Sequence, residues 1–549
     1  MKYIFYHNKK LNAIALLFLF QVQLIAQNAM DTLPWYHSTS IYQIYPRSYQ
    51  DSNGDGIGDI QGIISRLDYI QQLGFKTIWC SPFYASPQKD FGYDIADYTM
   101  ISPEYGTLAD AEQLITETHQ RGMKIVFDMV MNHTSDQHQW FKESASSKTN
   151  PKADWYLWKD KPNNWKSVTG GKAWHYVASR NQYYYAAFLP FQPDLNYRNP
   201  EVKKAMFAIV RFWLKRGVDG FRLDMFDALY EDEQLRNNTP SNKRTICDED
   251  NSRFAKELRA VCEEFGGRML LGEIFGSHQH QREFLGKEKN DGIMLSFNFE
   301  MLRMRFSPHY FSKLITTLNN DFPKPFSPVF TFSNHDRRRN LRRLKGDVEK
   351  YKLVQFIQFT TRSVPCFYYG EEIGMQGVKR PYKYALDPLG QKYKHVPRFL
   401  FDMINESINR DEMRTPMQWD TTINAGFTKG GSTWLPIEKE FKRVNVQAAL
   451  HDSSSLYYST QQLLRLRNTL QSVKEGTLTV LPKKELPKGV IAYTRSFGEE
   501  KVTMYINFSK QQKVIPTSNS TTKVYSIKGT DTIQNKQLIL SRRSAIMVR

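Results

Sequence analysis

Eight short apolar runs recur along the chain, and amphipathic segments separate most of them. Apolar residues repeat at helical spacing in segments 61–73, 107–121 and 200–216, whereas the runs themselves have the length of buried strands. Strands that alternate with helices pair in parallel through right-handed crossovers. Eight such units predict an α/β fold, a (β/α)8 TIM barrel, with functional side chains at the C-terminal ends of its strands. The predicted strands are approximately residues 40–49, 75–82, 123–130, 218–225, 268–276, 293–300, 328–336 and 363–370.

The connection after the third strand is too long to be a simple loop. This strand ends near Val130, and the next helix begins near Pro200. The segment between them is rich in Trp, Tyr, Asn and Lys. We therefore predict that residues 132–196 form a small inserted domain, and that residues 33–131 and 197–472 form the barrel.

The last part of the chain changes its pattern. The segment from about 375 to 450 lacks strand patterns, but Trp419 and Trp434 favour an ordered structure there. A helix is predicted at about 454–471, and short alternating strands follow it. Residues 473–549 are therefore predicted to form a C-terminal antiparallel β-sandwich domain. Its predicted strands are Gly489–Ser496, Lys501–Phe508, Lys523–Ile527 and Gln537–Val548.

The N-terminus has the layout of a signal peptide. Basic Lys9-Lys10 precede an apolar run over Leu11–Phe20, and the small residue Ala26 follows. The run is too short for a confident membrane span. We predict a signal peptide over residues 1–26, export to the periplasm or the medium, and no stable membrane insertion after the signal is removed.

Composition and charge narrow the function only slightly. The 549-residue chain is 40% hydrophobic and 14% aromatic, and it carries a formal net charge of +19. Aromatic faces stack on sugar rings, although a large aromatic core explains most of these residues. A basic balance is compatible with nucleic acid, a membrane surface or acidic substrates, but no nucleic-acid-binding motif accompanies it. The densest basic run is predicted to be a solvated surface and comprises Arg337, Arg338, Arg339, Arg342 and Arg343.

The four cysteines suggest neither a zinc site nor a redox motif. Cys80 and Cys366 lie in apolar strand-like runs and are predicted to be buried thiols. Cys247 and Cys262 could pair in an oxidising compartment, and the sequence leaves that pairing open.

Three predicted strands end in carboxylates. They are Gly220-Phe221-Arg222-Leu223-Asp224, Leu270-Leu271-Gly272-Glu273, and the run from Val329 to Asn334-His335-Asp336. A retaining glycosidase needs a nucleophile and an acid/base, and a third carboxylate can orient the sugar. We assign these catalytic roles to Asp224, Glu273 and Asp336 respectively. Arg222 lies two residues before Asp224, so both side chains face the same side of the strand, where the guanidinium keeps the carboxylate ionised.

These strings closely resemble those of the α-amylase superfamily of glycoside hydrolases, in particular its α-glucosidase and oligo-1,6-glucosidase branch. The resemblance extends to Asp90–Asp94, Asp128–His133, Gln192–Asn196 and Arg410–Trp419. It implies that one terminal glucose is enclosed by a set of side chains. By resemblance these are Asp90, Tyr93, His133, Phe188, Gln192, Arg222, His335 and Arg410. It gives Arg414 no definite role.

A candidate cation site lies in the acidic loop over residues 51–59. The string Asp51-Ser52-Asn53-Gly54-Asp55-Gly56-Ile57-Gly58-Asp59 places acidic or amide oxygens at alternate positions with glycines between them. Such spacing suits a hard cation such as calcium, although the string is not a complete EF-hand. The resemblance implies one structural Ca²⁺ bound by the side chains of Asp51, Asn53, Asp55 and Asp59 and by the carbonyl of Ile57. No organic cofactor is implied.

The sequence predicts an exported, exo-acting, retaining α-glucosidase that releases glucose from short α-glucosides. Two alternatives stay open. One is a transglycosylase or a trehalose- or sucrose-isomerising enzyme of the same fold, and the other is a non-catalytic transporter-associated ectodomain. Met225 follows the predicted nucleophile, where the family prefers Val for α-1,6 links and smaller or hydroxyl residues for α-1,4 links. We expect a slight preference for α-1,4 links. We also expect no nucleic-acid partner, and the sequence leaves the oligomeric state open.

Overall fold

A computed structural model describes residues 33–403 and 407–549 of the chain. The predicted signal peptide at residues 1–26 lies outside the described residues. Within the described ranges, no helix has both the length and the apolar character needed to cross a membrane.

Eight parallel strands close into a barrel, as the hydrophobic pattern predicts. Each strand pairs with the next in the chain, and the last strand pairs with the first through Ile41 and Cys366, which closes the ring. The strands are buried along nearly their whole length, as expected where helices cover a parallel sheet. They are β1 Ile41–Ile44, β2 Thr77–Cys80, β3 Lys124–Val130, β4 Gly220–Asp224, β5 Met269–Gly272, β6 Leu295–Asn298, β7 Pro328–Thr331 and β8 Val364–Tyr368.

Helices with clear capping signals surround the strands. Thr107 and Asp110 form a reciprocal capping box at the start of the helix Leu108–Gln120. Asn199 caps the first turn of the helix Pro200–Lys215, and Pro200 occupies its first position. The helices are α1 Trp35–Ser38, α2 Ile60–Ile64, α3 Leu67–Leu73, α4 Leu108–Gln120, α5 Gln139–Ser146, α6 Pro200–Lys215, α7 Asp248–Glu263, α8 His278–Phe284, α9 Pro308–Asp321, α10 Asn340–Arg343, α11 Val348–Thr360, α12 Pro388–Lys392, α13 Arg398–Met403, α14 Val446–Leu450, α15 Leu456–Thr469 and α16 Gln471–Glu475.

The long connection after β3 contains α5 and a small antiparallel sheet. Its strands Trp158–Lys159, Gln182–Tyr185 and Trp174–Val177 lie in that order. Trp165, Trp174 and Tyr185 form part of its own small core. A two-stranded sheet, Tyr84–Ala85 with Asp97–Ile101, follows β2.

Two antiparallel sheets follow α16 and share a core that includes Val490, Ile515 and Leu538. The prediction of a single strand over residues 537–548 is wrong. The segment forms two strands in different sheets, separated by a turn where Arg543 has a φ of 43°. The strands of this region are β9 Thr477–Val480, β10 Val490–Phe497, β11 Glu500–Asn507, β12 Lys513–Pro516, β13 Lys523–Ser526, β14 Thr532–Gln534, β15 Gln537–Leu540 and β16 Ser544–Val548. The five-stranded sheet has the order β9-β10-β11-β16-β13, and the three-stranded sheet has the order β12-β15-β14.

The cysteines are all free thiols. Cys80 on β2 and Cys366 on β8 are buried, which confirms the prediction that both are buried thiols. Cys247 and Cys262 do not form a disulfide, so the pairing that the sequence left open is absent from this structure.

Candidate active site

One buried arginine connects the carboxylates at the ends of three neighbouring strands. Arg222 on β4 donates from Nη1 to both oxygens of Asp128, at 2.8 and 3.0 Å, and to Asp224 Oδ1 at 2.7 Å. Its Nη2 donates to Glu273, one residue beyond β5. The side chain of Arg222 is 1% exposed. Parallel pairing therefore brings Asp224 and Glu273, 49 positions apart in sequence, to one guanidinium.

Glu273 lies in an environment that favours its protonated form. Burial, followed by the negative charges of Asp224 and Asp336, raises the pKa of Glu273 to about 8, although the Arg222 guanidinium opposes this shift. Glu273 is therefore protonated at neutral pH and can donate a proton.

Asp336, just beyond β7, lies in an environment that favours its ionised form. Arg414 Nη2 donates to Asp336 Oδ1 at 2.9 Å, and Arg410 Nη1 approaches the same oxygen at 3.5 Å. Burial alone would raise the pKa of Asp336, but His335, Arg410 and Arg414 together lower it well below the usual range. Two carboxyl groups of one site are thus held in different protonation states, which is typical of sites that perform acid–base chemistry.

Tyr93 and His335 form a stacked pair between these carboxylates. Their rings are 5.2 Å apart and inclined by 5°. Gln43 Nε2 donates to His335 Nδ1 at 2.8 Å, which assigns the ring hydrogen to Nε2, 2.7 Å from Tyr93 Oη. Tyr93 Oη donates in turn to Asp128 at 3.0 Å. Because burial lowers the pKa of His335 well below its usual value, the ring is neutral.

A second ion-pair network closes one wall of the site. Arg410 donates to Asp90 and to Asp387, with its Nε 2.8 Å from Asp387 Oδ1. Asp387 also accepts from the backbone N–H of Arg410 at 2.8 Å. Gln192 Nε2 donates to Asp90 Oδ2 at 3.2 Å. The network thus joins the loop after β2, the inserted segment and the segment after β8.

His133 and Phe188 contact each other beside Tyr93. The two rings are 5.3 Å apart, and His133 Nε2 donates to the carbonyl of Tyr93 at 3.1 Å. Burial lowers the pKa of His133 to about 4, so its ring is neutral at physiological pH. The single N–H of this neutral ring is committed to the Tyr93 carbonyl, so His133 shapes the cavity wall without adding positive charge.

These side chains surround a cavity of about 1430 Å³ at the C-terminal ends of the strands. Arg222 does not line it and supports the lining carboxylates from behind. The sequence-predicted residues that line the cavity are Asp90, Tyr93, His133, Phe188, Gln192, Asp224, Glu273, His335, Asp336 and Arg410.

Sequence reasoning missed several groups that hold this lining in place. Asp387 lies in an irregular segment, 23 positions before its partner Arg410. Gln43 and Trp79, on β1 and β2, look like ordinary strand residues, yet they donate to His335 and to Asp128. Only their position near the C-terminal end of a barrel strand could have indicated such a role.

Met225 lies at the cavity in a strained conformation. Its φ of 43° and ψ of 46° are left-handed, which is uncommon for a residue other than glycine. Phe226 N donates to the carbonyl of Glu273 at 3.0 Å, which fixes the turn between the two candidate catalytic groups. Met225 also lines the cavity beside Asp224 and Glu273.

The prediction of a solvated basic surface at Arg337–Arg343 is wrong. Arg339 is fully buried, donates from Nη1 to the carbonyl of Tyr369 at 2.6 Å, and lies 4.6 Å from the ring of Tyr368. Arg343 donates to the carbonyl of Leu302 at 2.6 Å. Backbone carbonyls and aromatic faces accept these cations, so Arg339 and Arg343 hold the segment after β7 against the segments after β6 and β8.

The acidic loop at residues 51–59 has donors of the type that calcium prefers. Asp51 accepts the backbone N–H groups of Gly54 and Gly56, each at 2.7 Å, and Asp59 caps α2 through Gly62 N. Over the described ranges, no three His, Cys, Asp or Glu side chains form a metal-binding group. A calcium ion would therefore also need the amide of Asn53 and the carbonyl of Ile57, and calcium binding stays a prediction.

Comparison with known proteins agrees with this geometry. A family model described as "Alpha amylase, catalytic domain" matches residues 43–476. A probable alpha-glucosidase of Rhizobium meliloti is 37% identical over 510 residues, which are 87% of this chain and 90% of that protein. An oligo-1,6-glucosidase of Parageobacillus thermoglucosidasius is 34% identical over 522 residues, which are 87% and 91% of the two chains.

Among solved structures, the isomaltulose synthase of Protaminobacter rubrum superposes with a TM-score of 0.87 at 31% identity, covering 94% of this chain and all of that one (100%). These matches span the barrel and nearly the whole described chain. The chain belongs to the α-amylase family of glycoside hydrolases.

Proposed function

We propose that the protein is an exo-acting, retaining α-glucosidase that hydrolyses terminal non-reducing α-glucosidic bonds of short oligosaccharides. The observation that carries the proposal is the arrangement of Asp224 and Glu273 on one guanidinium, and the raised pKa of Glu273, about 8, supports it. Because both carboxyl groups bind one guanidinium, we expect them to lie roughly 5 Å apart, as in a retaining pair. An inverting pair has a wider gap that admits a water molecule.

In the first chemical step, an oxygen of Asp224 attacks the anomeric carbon of the terminal glucose. Glu273 gives its proton to the glycosidic oxygen as the bond from that oxygen to the anomeric carbon breaks. The aglycone leaves as a neutral alcohol, and glucose stays bound to Asp224 as an ester. Glu273, now ionised, removes a proton from water, and the resulting oxygen attacks the anomeric carbon and releases Asp224. Two inversions give net retention.

The remaining lining residues orient the glucose. Asp336 is ionised and can accept from sugar hydroxyls, while the neutral His133 and His335 line the same cavity without adding positive charge. The bonded Asp90–Arg410–Asp387 group forms a polar wall that pairs with the outer hydroxyls of the non-reducing end. A chain that continued past this glucose would leave these buried groups unpaired, which strongly disfavours its binding.

A related candidate is a transglycosylating or sucrose-isomerising enzyme, and the similarity to the isomaltulose synthase favours considering it. Both activities use the same covalent intermediate and differ in whether water or a sugar attacks it. The non-catalytic alternative is set aside, because the chain is a glycoside hydrolase of its family.

One product analysis distinguishes these activities. The purified protein is incubated separately with maltose, isomaltose, sucrose and trehalose, and the products are separated by chromatography. An α-glucosidase gives glucose from at least one of them, with the higher rate expected on maltose. Rearranged disaccharides as main products would instead establish the isomerase. Asp224→Asn, with an unchanged melting temperature, should lose nearly all turnover, and more than a few per cent residual activity would contradict its role.

The proposal also includes export, on the basis of Lys9-Lys10, the apolar run after them and Ala26. Expression of the full chain followed by mass spectrometry of the exported protein tests this. A mature N-terminus close to residue 27 supports export with signal removal, whereas an intact N-terminus in the cytoplasm contradicts it.

A further inference from the structure

Two segments that are distant in sequence meet at the mouth of the cavity. One is the tight turn over residues 166–172 of the inserted segment, and the other is α12 with the residue after it. Lys392 Nζ donates to Thr169 Oγ1 at 3.0 Å and to the carbonyl of Gly170. Tyr393 Oη donates to the carbonyl of Thr169 at 2.6 Å. We call these three hydrogen bonds the loop bridge.

The turn is shaped to receive Tyr393. Gly170 has a φ of 88°, which other residues adopt only with strain, and a Cβ at this position would lie 2.7 Å from Tyr393 Oη. Ser167 O accepts from Gly170 N at 2.9 Å, and Val168 N donates to Ala187 O at 2.8 Å. The turn is therefore held to the chain beside Phe188.

The first side of the loop bridge leads directly to the glucose pocket. Thr169 Oγ1 donates to the carbonyl of Phe188 at 3.0 Å, and Phe188 contacts His133. Val168 and Thr169 line the cavity themselves, and Val168 is 66% exposed. A shift of this turn would therefore move both the cavity mouth and Phe188.

The second side leads to the opposite wall. Asp387 caps α12 through Gly390 N at 3.3 Å and also binds Arg410, which contacts Asp90. Leu389 of α12 lines the cavity, whereas Lys392 and Tyr393 do not. Lys392 and Tyr393 thus lie outside the lining, and the loop bridge joins two walls that each hold part of the predicted glucose site.

We infer that Lys392 and Tyr393 are positioning residues that set the size selectivity of the pocket. By holding the turn against α12, they keep the mouth narrow and fix Phe188 and Arg410 around a single terminal glucose. This inference rests on the proposed α-glucosidase function. The candidate catalytic carboxylates lie on β4 and just beyond β5 and β7, so loss of the loop bridge should leave the chemical step nearly intact.

The expected effect is a split between binding and turnover. In Tyr393→Phe, which removes one hydroxyl without changing the ring, KM for maltose should rise about three- to fivefold, as expected for loss of one hydrogen bond, while kcat changes less than twofold. In Lys392→Ala/Tyr393→Phe, kcat/KM for maltoheptaose relative to maltose should rise at least fivefold, because a wider mouth penalises the longer chain less.

The experiment measures kcat and KM on maltose and maltoheptaose for the wild type, both loop-bridge variants and Lys394→Ala. Lys394 is an exposed lysine two residues beyond Lys392 and serves as the matched control, with no change expected. Lys392→Arg, which keeps a cationic donor, should restore selectivity at least in part. Melting curves check that each variant is folded, and the single Tyr393→Phe exchange provides the test if the double variant does not fold.

An unchanged substrate ratio in both folded loop-bridge variants would overturn the inference, as would an equal shift in Lys394→Ala. A loss confined to kcat would also contradict it, because the loop bridge would then act on the chemistry. Failure of the proposed function has a different signature: the wild type would release glucose from none of maltose, isomaltose, sucrose and trehalose.

Discussion

The ionisation of Glu273 gives the sharpest prediction for the pH dependence of the enzyme. Burial and the charges of Asp224 and Asp336 raise the pKa of Glu273 from 4.5 to about 8. The first chemical step needs the protonated form. Activity should therefore be present below this pKa and be lost as the pH rises through it.

The size of the effect follows from the shift. With its ordinary pKa of 4.5, Glu273 would be protonated in only about one molecule in 300 at pH 7. With a pKa near 8, about nine molecules in ten are protonated at pH 7 and about one in ten at pH 9. Above pH 8, kcat/KM should therefore fall about tenfold for each pH unit.

The assay is kcat/KM for maltose between pH 5 and pH 10 at constant ionic strength, which reports the free enzyme. Samples held at each pH and returned to pH 7 control for unfolding. In Glu273→Gln, assayed on p-nitrophenyl α-glucoside, whose leaving group needs little protonation, the alkaline decline should disappear. A decline centred below pH 6, or one that persists unchanged in Glu273→Gln, would refute the assignment.

Three further predictions concern linkage, calcium and the polar wall. Met225→Val and Met225→Thr both introduce a β-branched side chain, so the two variants carry similar strain at a φ of 43°. They should shift the ratio of maltose to isomaltose activity in different directions. An unchanged ratio in both variants would show that Met225 does not set linkage preference. Removing calcium with a chelator should lower the melting temperature, because a cation that binds only the folded loop stabilises the folded protein. Absence of a stoichiometric cation together with an unchanged melting curve would contradict the calcium site. Asp387→Asn should raise KM for maltose more than tenfold, because Arg410 loses a charged partner, and it should change kcat less. An unaltered KM would show that Asp387 does not contribute to substrate binding.

The barrel and its candidate catalytic carboxylates could be predicted from the sequence because their signals are local. A short apolar run ending in Arg222 and Asp224 specifies a strand, its C-terminal end and the side chains that face together. Parallel pairing then places Glu273 and Asp336 at the same end of the barrel. The motif resemblance added Asp90 and Arg410, whose contact joins positions 320 residues apart.

The errors arose where partners are distant and carry no local signal. Arg339 appears in the sequence only as a charge within a basic run, since its acceptors, a backbone carbonyl and two tyrosine faces, belong to the end of β8. The single-strand prediction over 537–548 is an error of another kind, because four consecutive polar residues at 541–544 interrupt the alternation at the turn that sends the chain into a second sheet. The loop bridge could not be predicted because Thr169 and Lys392 are 223 positions apart.

The anomeric form of the first product tests the central claim most directly. Proton NMR distinguishes α-glucose from β-glucose within minutes, before the two forms interconvert, and a high enzyme concentration makes the initial product visible. If Asp224 attacks the anomeric carbon and Glu273 serves first as acid and then as base, maltose must give α-glucose first, with β-glucose appearing only by slow mutarotation. Initial release of β-glucose would contradict the covalent intermediate and the roles proposed for both residues.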